Sequence, residues 1–274
     1  MLIAQITDLH VTSSGRLAYG QVDTVAALEA AVAGLNALSP QPDLVVATGD
    51  LVDLGTAEEY ALLRAILGRL KAPVFVIPGN HDARDALGAA FGADGYLPAA
   101  GEYLHYTLED WPLRLIALDT LVPGEGHGAL DAARLDWLAR RLAEQPERPT
   151  IVLMHHPPFP TGIAHMDAIG LLEGADALGA LVAQNPAIER VLCGHVHRAI
   201  QARWHGTIAS IAPSTAHQVR LDLSADAPSS FMLEPPGYQL HLWREGVGIV
   251  SHTASIGRFA GPYPFFDPEG ELLI

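Results

Sequence analysis

At 274 residues and 49% hydrophobic, the chain is long enough to bury a sizeable core, and its net charge of −15 without a Lys/Arg cluster excludes the cationic surface that a nucleic-acid polymer needs. A single cysteine, Cys193, excludes an intrachain disulfide and suits a reducing compartment. The start, MLIAQITDLH, has no basic stretch, and no run of about 18 apolar residues occurs, so the expected setting is the cytoplasm with no membrane contact.

In chain order, the first predicted strand is LIAQIT, which ends at Asp8 and His10. Helical spacing over residues 22 to 38 leads to a second strand, DLVVAT, which ends at Asp50. A helical stretch over 57 to 70 precedes PVFVIP, and Gly79, Asn80, His81 and Asp82 follow at once. After the strand LRLIALD, residues 131 to 143 place Leu135, Leu138 and Leu142 on one stripe, with Asp131 positioned as N-cap. TIVLMH ends at His155 and His156, and RVLCG ends at Gly194, His195 and His197. This alternation predicts βαβ units around buried, largely parallel strands. Beyond Gly194 short strands and turns take over, ending in a predicted hairpin, YQLHLW-REGVG-IVSHTAS. Residues 221 to 237 read as an excursion from the main body, and the aperiodic tail AGPYPFFDPEGELLI reads as a packed strap or an oligomer contact.

Every polar cluster thus falls just past a strand. The carboxyl ends of strands are where open α/β sheets bind ligands, so five distant clusters are expected to meet in one crevice. Residues two apart on an extended backbone point the same way, which predicts that Asp8/His10 and His195/His197 each aim a pair of donors at one place. Carboxylate, imidazole and amide without thiolate suit Mn, Fe, Co or Zn. The number of such groups exceeds the needs of one tetrahedral ion and fits two ions sharing a carboxylate, the arrangement that clamps the attacking and leaving oxygens of a displacement at phosphorus. Gly49, Gly79 and Gly194 each precede a candidate ligand, where a residue without Cβ lets the backbone turn sharply.

The ordered series D-x-H, G-D, G-N-H-D, H-H and G-H-x-H resembles the calcineurin-like metallophosphoesterases. YGQVDT, HGALD, MHHPP, STAHQ and PPGYQLHLW extend the likeness over the chain toward the bacterial branch of class III cyclic-nucleotide phosphodiesterases and, most closely, glycerophosphodiesterases. The resemblance implies that Asp8, His10, Asp50 and His197 hold a first metal, with Asp50 bridging to a second held by Asn80, His156 and His195. A hydroxide between two Fe, Mn, Zn or Co ions would attack phosphorus, with Asn80 and His81 as catalytic residues. His81 would either donate to a non-bridging phosphate oxygen or protonate the leaving alkoxide. Tyr19, His127 and His217 are candidates for the substrate-binding wall, and His165 is a weaker one.

Since strand neighbours face opposite ways, His155 is expected to pack behind the ligands. Asp53 and Asp82 read as helix caps, and His105, His205, His241 and His252 as ordinary structural histidines. The resemblance also implies the fold, an α/β four-layer α-β-β-α sandwich of two mixed sheets with a small β cap or dimerisation excursion. Residues 1–198 would form the catalytic core. Residues 199–274 would complete the second sheet, with the hairpin as a cap or oligomerisation segment. The expected activity is hydrolysis of small phosphodiesters of the glycerophosphodiester or cyclic-nucleotide type by a homo-oligomer. A phosphomonoesterase or nuclease on the same scaffold and a non-catalytic metal-binding scaffold are the alternatives.

Overall fold

The computed structural model describes residues 1–98 and 103–273; Ile274, the last residue of the predicted tail, lies outside them. The first part of the chain forms β1 (Leu2–Ile6), α1 (Thr24–Ala37), β2 (Leu44–Thr48), α2 (Ala57–Leu67), β3 (Val74–Ile77) and α3 (Arg84–Phe91). Next come β4 (Tyr106–Leu108), β5 (Arg114–Ala117), β6 (Gly128–Ala129), α4 (Ala132–Glu144), β7 (Thr150–Leu153), α5 (Ala164–Asp167), β8 (Leu171–Glu173), α6 (Ala175–Gln184) and β9 (Ile188–Cys193). The rest is β: β10 (Ile200–Trp204), β11 (Thr207–Ile211), β12 (Gln218–Val219), β13 (Phe231–Met232), β14 (Gly237–Arg244) and β15 (Gly248–Ser255).

Local chemistry sets the helix starts. Asp23 caps α1, Thr56 and Glu59 form a reciprocal capping box on α2, and Asp131 accepts from the Arg134 amide at the start of α4, as its position predicts.

A five-stranded sheet in the order β15-β14-β1-β2-β3 faces a six-stranded sheet in the order β10-β11-β9-β7-β5-β4. The pairs β1/β2, β2/β3, β5/β7, β7/β9 and β9/β11 are parallel and the outer pairs antiparallel, so both sheets are mixed. Alternation along the strands of the second sheet divides its side chains between two cores. Leu115, Ala117, Ile151, Leu153 and Leu192 join the first sheet and α1, α2 and α3, whereas Ile116, Val152, Val191 and Cys193 turn the other way to meet α4 and α6. The result is the expected helix–sheet–sheet–helix layering.

The predicted hairpin has a different place from the expected one. β14 pairs antiparallel with β1, from Leu2↔Leu242 to Gln5↔Gln239, and β15 pairs with β14. It therefore extends the first sheet, because the outer edge of β1 offers a row of backbone groups that need partners. β10 and β11 extend the second sheet, so the chain beyond residue 199 feeds both. The excursion forms its own two-stranded ribbon, β12–β13. Among the described residues no helix is long and apolar enough to cross a membrane.

Candidate metal centre

Asp8, His10, Asp50, His195 and His197 have φ of 52, 44, 48, 74 and 54°, in the left-handed region that non-glycine residues rarely occupy. Left-handed turns beyond β1 and β9, rather than the alternation of an extended strand, therefore aim the Asp8/His10 and His195/His197 pairs. Ordering these turns costs on the order of 1–3 kcal/mol per residue, which the surrounding hydrogen bonds must offset. The Asp8 amide donates to the Gly49 carbonyl at 3.1 Å, that of His10 to Asp50 at 2.9 Å, and that of Gly194 to His155 at 2.9 Å. A Cβ on Gly79 would strike the Asp50 backbone nitrogen, and one on Gly194 would strike Thr7 Oγ1 and the Thr48 carbonyl, so both glycines are required by close approach.

These loops bring nitrogen and oxygen donors from both sheets to one place. His10 Nε2 lies 3.2 Å from His197 Nε2 and 3.6 Å from Asp50 Oδ2, and His197 Nε2 lies 3.4 Å from Asp8 Oδ1. Next to them, Asn80 Oδ1 lies 3.0 Å from His195 Nδ1 and 3.2 Å from His155 Nε2, which is itself 3.4 Å from Asp50 Oδ2. Asp50 stands between the two sets. Atoms that share one ion at about 2.0–2.2 Å stand about 3.0–3.6 Å from one another, so these spacings match the edges of a coordination shell.

The two neighbouring histidines both turn into the centre. His155, expected to pack behind the ligands, fixes Nδ1 on the Thr48 carbonyl at 2.8 Å and presents Nε2 to Asn80 and Asp50. His156 holds Nδ1 2.8 Å from Thr120 Oγ1 and leaves Nε2 buried without a partner, its ring 4.7 Å from that of His195. The donor atoms of His155, His156 and His195 still lie within 4.8 Å of one another. Both residues follow the end of β7, so strand alternation does not govern their directions.

The electrostatics call for cations. Among the described residues, Asp8 and Asp50 pair only with histidines. Burial, reinforced by Asp50, drives the Asp8 carboxyl up to about 6 against the pull of His155. Burial also opposes ionisation of Asp50, but His155 and His81 outweigh it and hold that carboxyl well below its usual range. His195 and His197 are driven down to about 3, first by burial and then by His155 and His10 respectively, which keeps their ring nitrogens unprotonated as metal ligands must be. Burial opposes protonation of His155, but Asp50 and Asp8 outweigh it and lift that ring to about 9. Buried carboxylates crowded among imidazoles, without Lys or Arg, fit a divalent cation.

His81 donates its amide to Asp50 Oδ1 at 2.9 Å, and its Nδ1 lies 2.9 Å from the Asp53 carbonyl. A carbonyl only accepts, so Nδ1 carries the proton. Asp53 and Asp82 are not helix caps. Asp53 lies 2.6 Å from Arg16 and 3.7 Å from His10 Nδ1, while Thr56 caps α2 and no side chain caps α3. Asp82 accepts from the Gly79 and Leu51 amides at 2.8 and 3.1 Å and from the Tyr60 hydroxyl at 2.7 Å, pinning the loop that carries Asn80.

A cavity of about 380 Å³ opens over this cluster, lined by His10, Asp50, Asn80, His81, His195 and His197 together with Tyr19, His165 and His217 among others. His127 is not among its lining residues and has Nδ1 3.9 Å from Glu125. Sequence reasoning missed the Asp82–Tyr60 latch, since no short-range pattern connects a loop carboxylate with a helix hydroxyl 22 positions earlier.

Residues 1–199 match the calcineurin-like phosphoesterase family. The whole chain is 41% identical over 273 residues to a probable glycerophosphodiester phosphodiesterase of Arcobacter nitrofigilis, covering 100% of both. It is 34% identical over 218 residues to the 3′,5′-cyclic adenosine monophosphate phosphodiesterase of Escherichia coli K12, covering 80% of this chain and 77% of that one. A dimetal phosphatase from Danio rerio shares the fold with a TM-score of 0.69 at 14% identity, over 94% of this chain and 99% of that one.

Proposed function

Because the chain belongs to the calcineurin-like phosphoesterase family, we propose that it is a dinuclear metal-dependent phosphodiesterase that cleaves small phosphodiesters. What carries this reading is the convergence of buried carboxylate, amide and imidazole donors from two sheets at spacings of 3.0 to 3.6 Å around the shared carboxylate of Asp50. The names of the relatives supply the substrate class, glycerophosphodiesters or cyclic nucleotides.

Asp8, His10, Asp50 and His197 would hold one ion. Asp50, Asn80, His156 and His195 would hold the other: His156 keeps a buried, unpartnered Nε2 beside the His195 ring, while His155 presents its Nε2 to Asp50 and Asn80 next to them. Bound Fe, Mn, Zn or Co would polarise the phosphoryl group and lower the pKa of water. His81, its Nδ1–H held by the Asp53 carbonyl, keeps Nε2 for substrate, accepting a hydrogen bond when neutral and donating a proton to the departing alkoxide when doubly protonated. Tyr19 and His217 bound the cavity and restrict the substrate's position.

Homo-oligomerisation belongs to the same proposal, supported by exposed apolar side chains in the C-terminal tail such as Phe259, Tyr263 and Phe265 at 66, 75 and 80% exposure. The unpaired, buried Cys193 supports a reducing compartment such as the cytoplasm.

The test is hydrolysis of a bis-aryl phosphate, abolished by exhaustive chelation and restored by Mn, Co, Fe or Zn. A panel of aryl monoester, cyclic AMP and glycerophosphodiester assigns the substrate. Turnover that survives full demetallation, or confined to the monoester, overturns the proposal.

A further inference from the structure

Four apolar side chains line the cavity, and this apolar wall is assembled from separate segments. Met166 comes from α5 and Ile169 from the turn after it, while Val219 and Phe231 face each other as register partners in the β12–β13 ribbon. The Phe231 ring stands 5.3 Å from Tyr19 at 36° and 5.4 Å from His217 at 75°. It also packs on a small apolar cluster of Ala18, Val22 and Ala216, which joins the excursion to the loop that carries Tyr19. The ribbon is held in register with the ligand loop. Arg198, next to His197, donates through Nη1 to the Val219 carbonyl at 2.7 Å and to Glu234 at 2.8 Å, and the Arg220 amide donates to the Ser230 carbonyl at 2.9 Å. The polar groups beside these apolar ones are Tyr19, His217, Ser229, Ser230 and His165, the last with both ring nitrogens buried without partners.

A small polyol bound against this wall would leave several hydroxyl groups facing carbon, and each unpaired group opposes binding. A flat ester arm would instead displace water from Phe231, Met166, Ile169 and Val219 and could stack on the Phe231 ring. We propose that Phe231 sets the alcohol preference of the cavity, favouring a diester arm with a flat, apolar face, an aromatic or heterocyclic alcohol, over a small polyol. This rests on the phosphodiesterase reading. Phe231 touches the ester arm and none of the candidate ligands' chemistry, so its removal is expected to move KM more than kcat.

The experiment titrates the metal-loaded protein with phenylphosphonate and with methylphosphonate by calorimetry. Phenylphosphonate should bind about tenfold more tightly, the scale of one aromatic contact. Phe231→Ala should abolish that ratio by weakening phenylphosphonate alone, Phe231→Trp should keep it, and Phe231→Ala should raise KM for a bis-aryl phosphate while kcat changes by less than about twofold. Equal affinity of the wild-type protein for the two phosphonates, or an equal loss of both in Phe231→Ala, overturns the proposal. Wild-type diester turnover with no phenyl preference sinks only the Phe231 assignment. Absence of both turnover and phosphonate binding sinks the phosphodiesterase reading with it.

Discussion

His155 and His156 adjoin in the chain yet turn to different partners, one toward Asn80 and Asp50, the other toward Thr120. The consequence is measurable by metal analysis. His156→Ala should leave about one ion per chain instead of two, whereas His155→Ala should keep both and weaken affinity by about 10–100-fold, as loss of a group that orients a ligand does. Equal loss in both variants would bring His155 into the ligand set. His241 is a separate case, because it lies between the sheets and away from the ligands. It sits 3.1 Å from Gln5 Oε1 and 2.7 Å from Ser251 Oγ, and burial, followed by Arg190, drives it down to about 3. Its folded pKa lies below the unfolded value of about 6.5, so its stabilisation is complete above that pH and is lost as pH falls toward the folded value, at about 1.4 kcal/mol per pH unit. Urea unfolding of the metal-free protein should show a slope against pH shallower by about one proton in His241→Gln than in wild type. An unchanged slope would mean that His241 binds its proton equally in both states.

At the level of elements, the loop of residues 78–83 owes its shape to helix α2 as much as to its own sequence. Asp82 gathers two amides and the Tyr60 hydroxyl, and that hydroxyl in turn accepts from the Ala83 amide at 3.1 Å. Asp82→Ala should therefore cost about 1–3 kcal/mol in urea unfolding through the stranded donors. It should also weaken the ion held by Asn80 more than the one held by Asp8; an equal effect on both would show that the latch does not act through Asn80. This latch marks the limit of what the sequence discloses. The strands and α1, α2 and α4 were legible because apolar period and caps such as Asp131 are local signals. Short β4, α3 with no side-chain cap, and α6, which carries Gly179 in its interior, gave no comparable signal. The ligand residue types were legible from their positions after strands, but their directions were not. Those depend on the left-handed turns at Asp8, His10, Asp50, His195 and His197.

At the scale of the whole molecule, the tail beyond β15 keeps many apolar side chains in solvent, folding only into a small hairpin with a Phe266↔Leu272 bridge. If a second copy covers them, the full-length protein should run as a dimer or larger species in light scattering, and removal of residues 258–274 should yield a monomer that still hydrolyses an aryl diester. A monomeric full-length protein would contradict the assembly. The sequence located this tail but could not show which sheet the preceding hairpin would join, since pairing with β1 is settled by a strand more than 200 residues away, Gln5 opposite Gln239.

Asp8, His10, Asp50 and Asn80 follow strands of the first sheet, whereas His155, His195 and His197 follow strands of the second. If these residues hold the cations, a nascent chain emerging from the ribosome has no complete receptor for either one until His195 and His197 have been synthesised and the two halves have docked. Loading would then be a late event in maturation, and a product cut short upstream of those histidines would have only an open half-shell with which to compete for cellular metal.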